Sequence, residues 1–391
     1  INKVKIIKVK VMKILVAVNE FKGSLTSREI AELISKLANE RYKNIEIEPE
    51  VIADGGDGFL DIFNNFSEKE VLVTNAMGEK IKASYLVDYD NKKAVIEVAE
   101  IIGLKKVSEK NPYLASTYGL GEVIKSLLQE NIRDFIVGLG GSATNDCGIG
   151  MLSALGYKFF DKNNNECIHG INALSKINSI DDSYLNENLK NAKFTLVSDV
   201  ENILCGQEGA TYVFSKQKGL KEENFQIVDD YVNKFTRIVY NKYNTNYSNI
   251  LGSGAAGGLA YGFLTFTNSE IKKGSDFMIE YLKIEEKIKE VEIVITGEGK
   301  LDLQSFMGKA PIEIARLAKK YKKSVIFLAG TISDKEIDTL NASTKGIIDA
   351  SFSILRGIST LDEAMNKKIA ISNLENTVSQ VFNLLEIFKD E

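Results

Sequence analysis

The sequence predicts an α/β protein: a flavodoxin-like, doubly wound parallel sheet domain with a second, inserted α/β domain. Three observations carry this expectation. Short apolar runs at 13–18, 45–52, 293–296, 325–329 and 350–354 read as buried strands, with helical patterns between them. The β-α alternation of 12–70 resumes at 286–391, giving five strands joined by crossovers of ordinary length. The intervening 71–285 carries strands, helices and glycine-rich turns of its own. Residues 1–11 are basic, lack the apolar core of a signal peptide, and read as an N-terminal extension ahead of Met12.

Composition narrows the function. A chain of 391 residues has room for about two domains. A net charge of −5 argues against broad nucleic-acid binding, and no apolar run reaches the length of a membrane span. Cys147, Cys167 and Cys205 are widely spaced and form neither a disulfide framework nor a metal pattern, so a cytoplasmic location is expected. The single histidine, His169, lies in a loop, which excludes a histidine-based triad or a multi-histidine metal site. Acid–base chemistry must then fall to Asp, Glu or Lys.

The elements follow in order. The strand at 13–18 leads through Phe21-Lys22-Gly23-Ser24 to a helix near 27–38, where Thr26 and Glu29 form a capping box. Lys22 thus lies on a strand-to-helix loop, the ligand edge of an open α/β sheet, or is a solvated loop lysine. The strand at 45–52 runs into Asp54-Gly55-Gly56-Asp57-Gly58, whose carboxylates suit Mg²⁺ or an Asp/Gly turn. Three strands between 71 and 98 form a meander. A helix after Pro112 puts Leu120, Val123, Ile124, Leu127 and Leu128 on one face.

The strand at 135–139 then breaks at Gly140, Gly141 and Ser142 and enters a helix ending at Gly156. Free N–H groups at such a turn favour an anion, with Thr144, Asn145 and Asp146 beside it. The same stretch also reads as a close-packed helix start capped by Ser142 or Thr144. Residues 161–191 are Asn-rich and read as peripheral loop. The strand at 194–197 ends at Asp199, a candidate metal ligand, base or helix cap. Residues 252–258, which include Gly254 and Gly257, form a second glycine-rich turn, for an anion or for close helix packing. The strand at 293–296 ends in a loop crowded with Glu298, Lys300 and Asp302, and Lys309 stands at a helix entry. The expected arrangement is one cleft between two domains.

Phe21-Lys22-Gly23-Ser24, Ala53 to Gly58, Gly138 to Asp146, Ser198-Asp199-Val200-Glu201-Asn202, Gln217-Lys218-Gly219, Gly252 to Gly258 and Gly297 to Lys309 occur in the order and approximate spacing of the bacterial type I glycerate kinases. The chain resembles that family from about Met12 to its end. The resemblance implies phosphorylation of D-glycerate by ATP with Mg²⁺, mostly at the 2-hydroxyl. It departs from the family pattern at Asn19-Glu20 (usually Pro-Asp), Asp57 (usually Glu), Lys300 (usually Arg) and Ser305 (usually Thr). Lysine at 300 offers a point charge where arginine offers a two-pronged clamp.

Transfer of a phosphoryl group needs positioning and charge neutralisation. Under the resemblance, Gly140, Gly141, Ser142, Thr144, Asn145, Gly254 and Gly257 would cradle nucleotide phosphates. Lys22 and Lys309 would neutralise phosphate charge or hold the glycerate carboxylate. Asp302, or failing it Asp199, would orient the attacking hydroxyl, and Asp54, Asp57 and Glu298 would bind Mg²⁺. Neither glycine turn carries the P-loop pattern or a dinucleotide fingerprint. The other readings are a kinase for another small hydroxy acid or sugar acid, and a non-catalytic ligand sensor. A homo-oligomer is left open.

Overall fold

The computed structural model describes residues 11–53, 58–333 and 337–387 and divides the chain into two compact units. Unit one comprises 1–54 and 275–391, and unit two 55–274.

Unit one is built on a five-stranded sheet, all parallel, in the order Ala350–Ser353, Ser324–Ile332, Ile293–Leu301, Met12–Val18, Ile45–Val51. Numbered along the chain this is 2-1-3-4-5, the flavodoxin-like order. Ile14 to Val18 are all buried, as befits a central strand covered on both faces. One face packs Ile14, Val16 and Ile295 against Ile30, Ile34 and Leu37 of the helix Ser27–Arg41 and Leu374, Val378 and Phe382 of the helix Lys367–Ile387. The capping box of the first helix forms: Thr26 Oγ1 accepts from the Glu29 N–H, and the Glu29 carboxylate accepts from the Thr26 N–H.

Unit two holds a six-stranded sheet in the order Asn268–Lys272, Lys193–Val197, Asp134–Gly138, Lys93–Glu97, Lys80–Asp88, Ser67–Thr74. The first four run parallel, and the last two close an antiparallel meander. Its core stacks Phe135 on Phe194 at 4.8 Å.

Three sequence expectations change. The boundaries drawn at 70 and 285 fall inside the strand Ser67–Thr74 and the helix Ile284–Glu290. Packing explains the shift: the Phe59 ring lies against Gly138 and continues through Phe63 to Phe66 in unit two. At the other end, Lys287 pairs with Glu50 within unit one. The stretch at 161–191, expected as loop, contains the helix Gly170–Lys176, and its strand Ser179–Asp181 pairs with Lys158–Phe160. The helix expected from Ser142 onward begins only at Ile149.

Candidate functional site

In unit one, the strands Met12–Val18, Ile293–Leu301, Ser324–Ile332 and Ala350–Ser353 deliver residues at or just beyond their carboxyl ends to a cavity of about 660 Å³. Three lysines (Lys22, Lys300, Lys309) and three carboxylates (Glu20, Glu298, Asp302) line it. Lys22 sits on a tight turn in which Phe21 and Leu25 exchange backbone hydrogen bonds and Gly23 takes a φ of 81°. Glu298 is held by strand pairing to Ala329, and only 7% of its side chain is exposed. Its Oε2 accepts from Lys309 Nζ at 2.7 Å, while its Oε1 is buried with no hydrogen-bond partner. Lys309 stands at the N-cap of the helix Ala310–Lys320, whose first turn contains Pro311.

Asp302 has a structural role as well as a place in the cavity. It caps the short helix Leu303–Phe306: its Oδ1 accepts from the Gln304 N–H at 3.0 Å, and its own N–H donates to Ser305 Oγ at 3.1 Å. Its Oδ2 lies 3.0 Å from Lys300 Nζ. Burial raises the Asp302 carboxyl, but the Lys300 ammonium and the Gln304 N–H outweigh it and hold the group below the ordinary carboxylate value.

In unit two, a smaller cavity of about 220 Å³ is lined by Gly140, Gly141, Ser142, Ser198, Asp199, Gln217 and Lys218, with Ala255 and Ala256. Asp199 is placed by the end of the strand Lys193–Val197, and its carboxylate packs against Gly274 so closely that a Cβ there would fall 2.5 Å from Oδ1.

The first glycine turn lacks the helix start expected at Ser142, and the second takes the close-packing alternative. Ser142 and Thr144 cap nothing, because a loop separates them from the helix Ile149–Ala154. Several of that loop's N–H groups are already committed: Ala143 donates to the Ile102 carbonyl and Cys147 to the Gly257 carbonyl. Thr144 and Asn145 are buried behind the cavity wall, Asn145 Nδ2 donating to Thr211 Oγ1 at 3.3 Å. Asp146 is wholly buried and accepts from the Thr117 N–H and hydroxyl and from the N–H groups of Gly148 and Gly150. Gly254 and Gly257 serve close packing: a Cβ would lie 2.3 Å from the Ile203 carbonyl oxygen and 2.0 Å from that of Thr144.

The structure therefore gathers Lys22, Glu298, Asp302 and Lys309 in one cavity of unit one, and Gly140, Gly141, Ser142 and Asp199 at one cavity of unit two. Lys309, expected with Lys22 to neutralise phosphate charge or hold the glycerate carboxylate, lines the same cavity as Lys22. Asp54 and Asp57 lie outside the described residues. Sequence reasoning gave no role to Lys218, which lies in the wall of the second cavity and is only 2% exposed. Its sole signal was its place in Gln217-Lys218-Gly219, and a Lys-Gln-Lys stretch before a glycine reads as solvated loop.

Fold and cavities define an α/β enzyme for a small anionic substrate, with charged groups set along the carboxyl edge of a parallel sheet. Residues 14–386 match the glycerate kinase family, and the chain belongs to that family and is a kinase of glycerate. It is 37% identical to glycerate 2-kinase from Escherichia coli K12 over 90% of this chain and 93% of that one. It is 35% identical to glycerate kinase from Bacillus subtilis 168 over 97% and 99% of the respective chains. A crystal structure of a Salmonella typhimurium LT2 protein designated glycerate kinase 2 superposes with a TM-score of 0.85 at 32% identity, covering 98% of this chain and all of that one. Among the described residues, no helix is long and apolar enough to cross a membrane.

Proposed function

We propose that the chain transfers the γ-phosphoryl group of ATP to the 2-hydroxyl of D-glycerate in the cytoplasm, giving 2-phosphoglycerate, with Mg²⁺ as cofactor. The observation that carries this reading is the unit-one cavity, where lysines and carboxylates face the same space. Glycerate offers one carboxylate and two hydroxyls, and a mixed wall of cations and acceptors suits both. Lys22 and Lys309 bind its carboxylate or neutralise phosphate charge. Asp302 orients the attacking hydroxyl and accepts its proton. Gly140, Gly141, Ser142 and Asp199 belong to the nucleotide side, where the glycines let phosphate oxygens approach the backbone. The choice of the 2-hydroxyl follows the name of the Escherichia coli relative.

The donor set fits Mg²⁺ sparsely. The buried, unpaired Oε1 of Glu298 is the type of oxygen such an ion takes, and the remaining positions of a Mg²⁺ shell are commonly water and phosphate. Among the described residues, no group of three acidic, His or Cys side chains forms a cage. When bound, the ion neutralises phosphate charge.

The test is a coupled assay with ATP, D-glycerate and Mg²⁺. Signal with enolase alone establishes 2-phosphoglycerate. Signal only after phosphoglycerate mutase is added moves the acceptor to the 3-hydroxyl, and absence of ADP formation removes the reading.

A further inference from the structure

Lys218 is a buried cation in the wall of the unit-two cavity. Its ammonium is carried into the interior by the short helix Lys216–Lys218, which Gly219 ends in a left-handed turn with a φ of 98°. Its Nζ donates to the Thr144 carbonyl at 2.7 Å and to Ser142 Oγ at 3.3 Å. Both acceptors are neutral. Among the described residues no carboxylate stands within ion-pair distance of Nζ; the nearest influential charge is Asp146, which its own four donors already satisfy. An ammonium has three donors, so one remains after Ser142 and Thr144 are served. A buried cation without a counter-charge is costly, and it is retained where an anion completes the site. Burial lowers the group to about 8, in keeping with a charge that the protein alone does not compensate.

We propose that Lys218 receives the phosphate chain of the nucleotide in the cavity bounded by Gly140, Gly141 and Ser142. This rests on the assignment of that cavity to the nucleotide. The glycines leave the wall low enough for a phosphate oxygen to reach Nζ, and Ser142 Oγ and the Thr144 carbonyl fix the lysine in place. Lys218 is thus a binding residue whose charge is matched only when the ligand is present.

The experiment compares wild type, K218M and K218Q by isothermal titration calorimetry with ATP, adenosine and inorganic tripolyphosphate, and separately with D-glycerate. K218Q retains a donor for the Thr144 carbonyl, which keeps the test informative if K218M folds poorly. The expected result is a loss of about ten- to a hundredfold in affinity for ATP and tripolyphosphate in both variants, with adenosine and D-glycerate unaffected. Folded variants that bind tripolyphosphate as wild type does overturn the proposal. So does an equal loss for adenosine and tripolyphosphate, which marks a purely structural lysine, or a loss confined to D-glycerate. Wild type that binds neither ATP nor tripolyphosphate overturns the nucleotide reading itself, an outcome visible before any variant is compared.

Discussion

Replacing Asp302 by Asn separates two duties that the structure has given one side chain. The carboxylate caps the helix Leu303–Phe306 through Oδ1 and meets Lys300 through Oδ2. Asparagine caps a helix about as well as aspartate, so the turn survives the change. The lost ion pair is small in stability, because 58% of the Lys300 side chain is exposed, and about 0–1 kcal/mol is expected. On the proposed mechanism, D302N removes the negative charge that would accept a proton from the attacking hydroxyl, an effect of about 10²–10⁴ in rate. In the enolase-coupled assay kcat should therefore fall by orders of magnitude while KM for ATP stays near wild type. Urea unfolding of the same preparation should show a midpoint little changed. D302A should match D302N in rate but lose about 1 kcal/mol more stability, since alanine cannot cap. Turnover of D302N close to wild type would refute the assignment and pass the role to Asp199.

Three further outcomes follow from the geometry. K300M takes away the ammonium that lowers the Asp302 carboxyl, so that carboxyl should rise and the acid limb of kcat/KM should move to higher pH. The sign in stability agrees: a lowered carboxyl stabilises the fold above its unfolded value and loses that contribution as pH falls through its folded value, and urea midpoints between pH 7 and 3 should fall less steeply in K300M. G257A puts a Cβ 2.0 Å from the Thr144 carbonyl oxygen at a φ of 68°, and should cost about 2–5 kcal/mol in urea unfolding. For Lys218, which feels the charge of Asp146 from the neighbouring loop and shares its cavity wall with Asp199, while Lys216 of its own helix is exposed and paired with Glu222, tripolyphosphate affinity should decline as pH rises past about 8. Between that value and the ordinary lysine value the unfolded chain binds the extra proton, so the unliganded protein gains stability as pH rises, and K218M should remove the gain.

Much of the frame was legible because it is local. The run at 13–18 needs no partner to declare itself a buried strand, and Thr26 with Glu29 marks a helix start within four residues. The strand Asn268–Lys272 was missed because its five residues, Asn-Ser-Glu-Ile-Lys, show little apolar alternation; pairing with Lys193–Val197 along the sheet edge makes it a strand. In the site, the charged stretch from Glu298 to Lys309 stood out after a buried strand, and the structure places Glu298, Lys300, Asp302 and Lys309 around one cavity. The glycine turns were harder. A glycine accommodates either a ligand or another backbone, and the sequence does not show which lies opposite; for Gly257 it is Thr144, more than a hundred residues earlier.

Charge in the interior shows why a residue's type does not reveal its role. Asp146, beside the glycine turn, has the look of a ligand-binding carboxylate, yet four donors of its own fold fill its oxygens. A group so satisfied gains nothing from a ligand and loses bonds if it turns toward one. Glu298 and Lys218 are the opposite case. One carboxylate oxygen of Glu298 is buried without a partner, and the Lys218 ammonium meets only neutral acceptors drawn from more than seventy residues away. Each carries unspent capacity at the wall of a cavity, and an unsatisfied buried group persists where a bound molecule completes it. That distinction, between polar groups the chain completes for itself and those it leaves open, is the physical ground for proposing Glu298 and Lys218 as ligand-binding groups and for reading Asp146 as scaffold, although all three are buried and charged.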